Sequence, residues 1–194
     1  MSDHNQVLQE NIRIFAQVIG EMCQASTRRQ VSPHPLTRNQ LYLLRILSVS
    51  GEFLCGELAV ILDISPAAAS KNIDRLEQWG LVRRHTRSAD RRSHTVRLTE
   101  AGQSVVDAFA RIITQKMSGL MAQFSEEEKD LFLGLLRRTV RFILSERQNT
   151  DVICLQCGGA CGDTCAVGDR VGRCSLARRE VSNEVCVPSV GTED

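Results

Sequence analysis

Six cysteines lie close together near the end of the chain, five of them in ICLQCGGACGDTCAVGDRVGRC (153–174) and the last at Cys186. Cys154 and Cys157 are separated by two residues, Cys157 and Cys161 by three, Cys161 and Cys165 by three, Cys165 and Cys174 by eight, and Cys174 and Cys186 by eleven. Thiolates at such spacings are soft metal ligands. Gly158, Gly159, Gly162, Gly168 and Gly172 interleave them. Glycines let a chain turn tightly around a centre and bring backbone N–H groups close to sulfur. The segment has too few large apolar residues for a core of its own, so coordination would have to supply the ordering free energy. Zinc generally takes two CxxC-like pairs separated by a longer loop. Here one true CxxC pair leads into a close succession of cysteines, similar to the compact runs that hold four-iron four-sulfur clusters.

The spacing therefore favours an iron–sulfur cluster, of 4Fe-4S type, on Cys154, Cys157, Cys161 and Cys165, with Cys174 and Cys186 as alternates. Zinc is the alternative, with Cu(I) or a mixed thiolate centre behind it. The plain competing reading is a tail whose cysteines have no specific role. MSDHNQVLQEN at the start lacks the basic-then-apolar pattern of a secretory leader, and no apolar run approaches the roughly 18 residues that span a membrane. The expectation is a soluble cytoplasmic protein with no membrane partner. Thiols are kept reduced in that compartment, which favours ligands or redox sensors over disulfides. Cys23 and Cys55 fall inside predicted helices and read as small core residues without a function.

A second group of residues suits a different chemistry. Net charge is only +1, yet between Ser65 and Thr95 the bases Lys71, Arg75, Arg83, Arg84, Arg87, Arg91 and Arg92 outnumber Asp74, Glu77 and Asp90. Local positive charge of this kind suits a polyanion such as DNA, although a charged helix followed by a charged loop is most often only a solvated surface. His85 and His94 flank the loop and read as phosphate contacts or surface residues; His34, between prolines, carries no clear signal. No HExxH motif, phosphate-cradling glycine loop or nucleophile with a base accompanies these residues, so no enzyme is expected. An iron–sulfur electron-transfer protein on a helical scaffold is the weaker reading from another class.

The elements that position these groups are predicted to be mainly helical. The composition is 42% hydrophobic and 4% aromatic, with leucine, isoleucine, valine and alanine in helix-like runs. Leu8, Ile12, Phe15, Ile19 and Met22 mark one stripe of a long first helix, able to pack on the chain's own core or on another subunit. VSPHPL (31–36) breaks it. Thr37 caps a second helix carrying Leu41, Leu44 and Leu47 and ending near Gly51, and a short helix with Leu58, Ala59 and Leu62 follows. In SPAAASKNIDRLEQWG, Ser65 is the N-cap, Pro66 suits the first turn, Gly80 suits the exit, and Ala69, Ile73 and Leu76 point inward. Leu81 to His85 and Thr95 to Leu98 read as a two-stranded hairpin with a basic tip. Thr99 caps a long helix with Val105, Phe109, Ile112, Met117 and Leu120. Ser125 and Glu128 form a capping box for the last, which carries Leu131, Leu135, Phe142 and Ile143.

Helix, turn, capped helix and basic hairpin is the order of a winged helix-turn-helix, whose second helix enters the major groove. Lys71 and Arg75 are one turn apart and can face the same DNA. The tip, with Arg87, Arg91 and Arg92, can reach the adjacent minor groove or its phosphates.

DISPAAASKNIDRLEQWGLVRRHTRSADRRSHTVRLTEAG (63–102) resembles the core signature of the MarR family of transcriptional regulators. The shared features are the serine-capped helix, the DRLE segment, the Gly80-Leu81-Val82 exit, the Asp90-Arg91-Arg92 tip and LTEAG leading into the next helix. The likeness extends more weakly over residues 7–146. It implies a homodimer with interleaved first and last helices, bound to a double-stranded, pseudo-palindromic operator. It also implies Ser70, Lys71 and Arg75 as recognition-helix contacts, Arg92 as the wing arginine, and Asp90 as the group that orients it. The family usually stops soon after its last helix, so the cysteine tail is a departure. The expected organisation is a winged-helix and dimerisation domain over 1–148 and a cysteine-rich, metal-bound loop extension over 149–194. The expected function is a repressor whose cluster senses redox state, oxygen, nitric oxide or iron; the alternative is the same regulator with a structural zinc module.

Overall fold

The structure is a computed structural model that describes residues 3–86 and 94–146. The first helix, α1 (Asp3–Gly20), runs into a π-helical turn (Glu21–Ser26) that the periodicity did not reveal. That turn is held from a distance: the Lys116 ammonium donates to the hydroxyls of Ser26 at 3.2 Å and of Thr27 at 3.0 Å, and Thr27 is fully buried.

Four helices then start where side-chain chemistry directs them. At α2 (Arg38–Ser50) the Thr37 hydroxyl accepts from the Gln40 N–H at 3.3 Å, while the Gln40 side chain accepts from the Thr37 N–H at 2.8 Å. Ser65 caps α4 (Pro66–Gln78) by accepting from the Ala68 N–H at 3.2 Å, Thr99 caps α5 (Glu100–Met121), and Ser125 with Glu128 forms the expected box at α6 (Glu126–Ser145). Such caps satisfy amide donors that the first turn leaves unpaired. Between α2 and α4 lies α3 (Cys55–Leu62), joined to α4 through Asp63, whose left-handed φ of 53° makes the sharp turn. Gly80, at φ 69°, turns the chain out of α4.

The sheet has three strands, not the two expected. β1 (Glu52–Leu54) pairs antiparallel with β3 (His94–Leu98), which also pairs with β2 (Val82–Thr86), giving the order β1-β3-β2. β1 is three residues long and runs directly into α3, and its ladder partner lies some forty residues away in sequence. The register puts Phe53, Val96, Leu98, Val82 and Arg84 on one face, and Glu52, Arg97 and Arg83 on the other. Arg83 and Arg97 are direct cross-strand neighbours, and Glu52 on the third strand accepts from Arg97 at 2.6 Å, which offsets their repulsion. The same contact raises the Arg97 pKa above its ordinary value.

The core sits between α2, α3, α4, the sheet and the first half of α5. Leu43, Leu44, Ile46, Leu47, Phe53, Leu58, Ile73, Leu76 and Val96 are closed off, with Val105 of α5 among them. Gly102 lies where α5 crosses the start of β2: a Cβ there would be 2.0 Å from the Leu81 carbonyl oxygen. Cys23 and Cys55 are both only partly buried; Cys55 packs against the edge of the core, as expected of a small apolar residue.

The terminal helices behave differently. Leu8, Ile12 and Phe15 on α1 are 52%, 54% and 45% exposed, and Phe142 on α6 is 69% exposed. The α1 stripe therefore does not cover this chain's own core. The two helices touch through Phe15 and Phe132, edge to face at 6.4 Å.

Candidate nucleic-acid interface

On α4 the buried row is Ala69, Ile73 and Leu76, as expected, and it fixes what the opposite side presents. Ser70, Lys71, Asp74 and Arg75 are all exposed. The three residues expected to contact DNA on this helix are thus brought to one accessible surface. The wing residues Arg87, Asp90, Arg91 and Arg92 lie outside the described residues, as do the proposed metal ligands Cys154, Cys157, Cys161 and Cys165, their alternates Cys174 and Cys186, and the expected domain boundary at 148. Among the described residues, no group of three or more histidines, cysteines and carboxylates is placed to hold a metal ion.

Three features of this surface were not found by reading the sequence. First, Arg84 of β2 reaches α4: its Nη1 is 2.6 Å from Asp74 Oδ1 and 3.0 Å from Glu77 Oε2, and its backbone N–H donates to the other Glu77 oxygen at 2.9 Å. Burial opposes the Arg84 charge, but the hydrogen bonds to Asp74 and Cys55 and the field of both carboxylates outweigh it and raise the pKa. Second, the Arg75 guanidinium stands over the Trp79 ring at 5.7 Å, and the His34 imidazole stacks parallel on the same indole at 4.8 Å. Third, Pro35, Thr37 and Gln40 at the start of α2 face Lys71, Asn72, Arg75 and Trp79 of α4 across an open cleft. No motif marks these contacts, because each joins residues from separate elements or depends on a side-chain rotamer.

The arrangement can hold a polyanion. α4 is capped and packs its apolar row on the core while presenting Lys71 and Arg75 outward, and Arg84 of the neighbouring β2 pairs with its two carboxylates. Known proteins share this unit. Residues 34–93 match the sequence model of the MarR family. The fold is a winged helix like that of solved MarR-family proteins. YusO from Bacillus subtilis superposes with a TM-score of 0.63 at 22% identity, over 73% of this chain and 99% of that one. A variant of S. aureus MepR bound to an oligodeoxyribonucleotide superposes with a TM-score of 0.58 at 20% identity, over 70% of this chain and 97% of its own.

Among curated relatives, the HTH-type transcriptional regulator PecS of Dickeya dadantii is 31% identical over 86 residues, or 44% of this chain and 52% of PecS. The uncharacterized HTH-type transcriptional regulator YwhA of Bacillus subtilis is 26% identical over 97 residues, covering 50% of this chain and 70% of YwhA. The expected MarR likeness and mainly helical winged fold are therefore supported over the described residues. No described helix is long and apolar enough to cross a membrane.

Proposed function

We propose that the chain is a MarR-type transcriptional regulator that binds a pseudo-palindromic operator as a homodimer and acts as a repressor rather than an enzyme. The observation that carries this reading is the exposed row Ser70, Lys71 and Arg75 on a helix whose inward row is closed off in the winged-helix core. Two further observations support it. The matched family model covers the whole helix-turn-helix, and α1 and α6 carry apolar side chains that this chain leaves open, as a two-fold partner would require. The wing arginines Arg87, Arg91 and Arg92 would flank the recognition helix, with Asp90 orienting Arg92.

The test is selection of binding sites from random-sequence DNA, followed by titration of the selected duplex at several salt concentrations. A two-fold related sequence with half-sites about one helical turn apart is the expected product. Binding that never exceeds the affinity for random DNA would overturn the reading.

For the tail, we propose a 4Fe-4S cluster on Cys154, Cys157, Cys161 and Cys165 whose state alters operator affinity. The support is the cysteine spacing alone: a single CxxC pair followed by closely placed thiols. When bound, such a cluster supplies reversible electron transfer and sensitivity to oxidants. Protein purified without oxygen should show a visible charge-transfer spectrum with stoichiometric iron and acid-labile sulfide. Colourless protein with stoichiometric zinc would replace the sensor by a structural module. Equal operator affinity before and after oxidation would remove the sensing role.

A further inference from the structure

Alternation along β2 sends Val82 and Arg84 to the face that Phe53 and Val96 share, so an arginine occupies a position where the pattern calls for an apolar residue. A charge facing inward is costly unless it is matched. Arg84 is matched by the two carboxylates of the helix that presents Lys71 and Arg75 outward. Those carboxylates are otherwise misplaced for a DNA-binding surface: the Asp74 side chain is 50% exposed, three residues from Lys71 and next to Arg75, and would repel the phosphates those residues attract.

We propose that Arg84 is an internal counter-cation for the recognition helix, acting on DNA only through Asp74 and Glu77. It draws both carboxylates towards the sheet and offsets one of their two negative charges, so that with Lys71 and Arg75 the outer surface of α4 keeps a net positive charge. Its side chain is only 25% exposed and is engaged at 2.6 Å and 3.0 Å, so it does not itself reach for phosphate. This inference rests on the DNA-binding reading above and assigns a role to a residue outside the expected contact set.

The experiment compares variants on the duplex selected by the wild-type protein, by fluorescence anisotropy over a salt series. Arg84→Met should weaken binding by roughly tenfold, because two uncompensated carboxylates then face the backbone. Adding Asp74→Asn and Glu77→Gln to Arg84→Met should restore most of the lost affinity, although Arg84 is still missing.

Asp74→Asn with Glu77→Gln in the wild-type background should bind at least as tightly as wild type. This pair leaves Arg84 in place and gives a result even if Arg84→Met does not fold. A salt bridge that served only to hold the structure would instead weaken binding as Arg84→Met does, and that outcome overturns the proposal. Direct phosphate contact by Arg84 would leave the triple variant as weak as the single one, with a salt slope reduced by about one charge; that also overturns it. Arg84→Lys, which keeps the charge, should stay near wild type. Failure of the wild-type protein to select any sequence is a different result, because it removes the DNA-binding reading before any variant is made.

Discussion

Arg75 and Trp79, one turn apart on α4, are joined by a cation–π contact at 5.7 Å, with the His34 ring stacked on the same indole. A long, exposed arginine is costly to order on binding, and an aromatic platform reduces that cost by holding the guanidinium beforehand. Trp79→Ala should therefore weaken operator binding by about fivefold, equivalent to about 1 kcal/mol for a contact of this kind. Arg75→Ala should remove the dependence on Trp79. A double-mutant cycle in anisotropy titrations measures the coupling, and full additivity would show that Trp79 does not prepare Arg75.

Gly102 has no room for a side chain. With the Leu81 carbonyl oxygen 2.0 Å and a Leu98 methyl 2.9 Å from the position of a Cβ, Gly102→Ala must displace backbone between β2 and α5. The expected loss is about 3 kcal/mol of unfolding free energy, read as a lower urea midpoint with little change in slope.

The uncovered apolar side chains of α1 and α6 predict assembly. Ile12→Glu with Phe142→Glu places charge at two positions that are 54% and 69% exposed in the single chain. Substitution at sites so open should leave the winged unit folded while sedimentation reports monomer in place of dimer. A variant that still sediments as a dimer would place the interface elsewhere.

Burial pushes the Cys23 thiol above its ordinary value of 9.0, and the nearby Lys116 ammonium only partly offsets this. The folded state thus holds the proton more tightly than the unfolded state. Stability from this group is fully present below pH 9.0 and declines as pH rises past that value, because the unfolded chain ionises first. Urea midpoints across the alkaline range should fall less steeply for Cys23→Ala than for wild type. Parallel curves would remove the effect.

How much of this was legible in the sequence depended on how local the cause was. Ser65, Thr99 and Ser125 satisfy amides within three residues of themselves, so the starts of α4, α5 and α6 could be read directly. The inward row Ala69, Ile73 and Leu76 followed from spacing alone. β1 could not, because three residues carry no period and acquire a strand conformation only by pairing with β3. The π-helical turn depends on Lys116, 90 residues from Ser26. Arg84 was counted with the other bases of the wing region, and only the register of β2 shows that it turns inward to Asp74 while Arg83 turns out. The exposed row on α4 was therefore visible, whereas the ion pairs behind it were not.

The close approach at Gly102 has a mechanical meaning. α5 has 22 residues, about 33 Å of rod at 1.5 Å per residue, and it bears on the Leu81 backbone with no side chain between them. Leu81 follows the Gly80 turn out of α4, and its N–H donates to the Leu76 carbonyl at 2.9 Å. The contact is thus a fulcrum near one end of a lever whose long arm carries Lys116. A tilt of about 10° there sweeps the far end through about 5 Å. Run in reverse, a push on the long arm is geared down to a small, forceful displacement at the exit of α4, and close-packed contacts of this kind transmit such a displacement rather than absorb it.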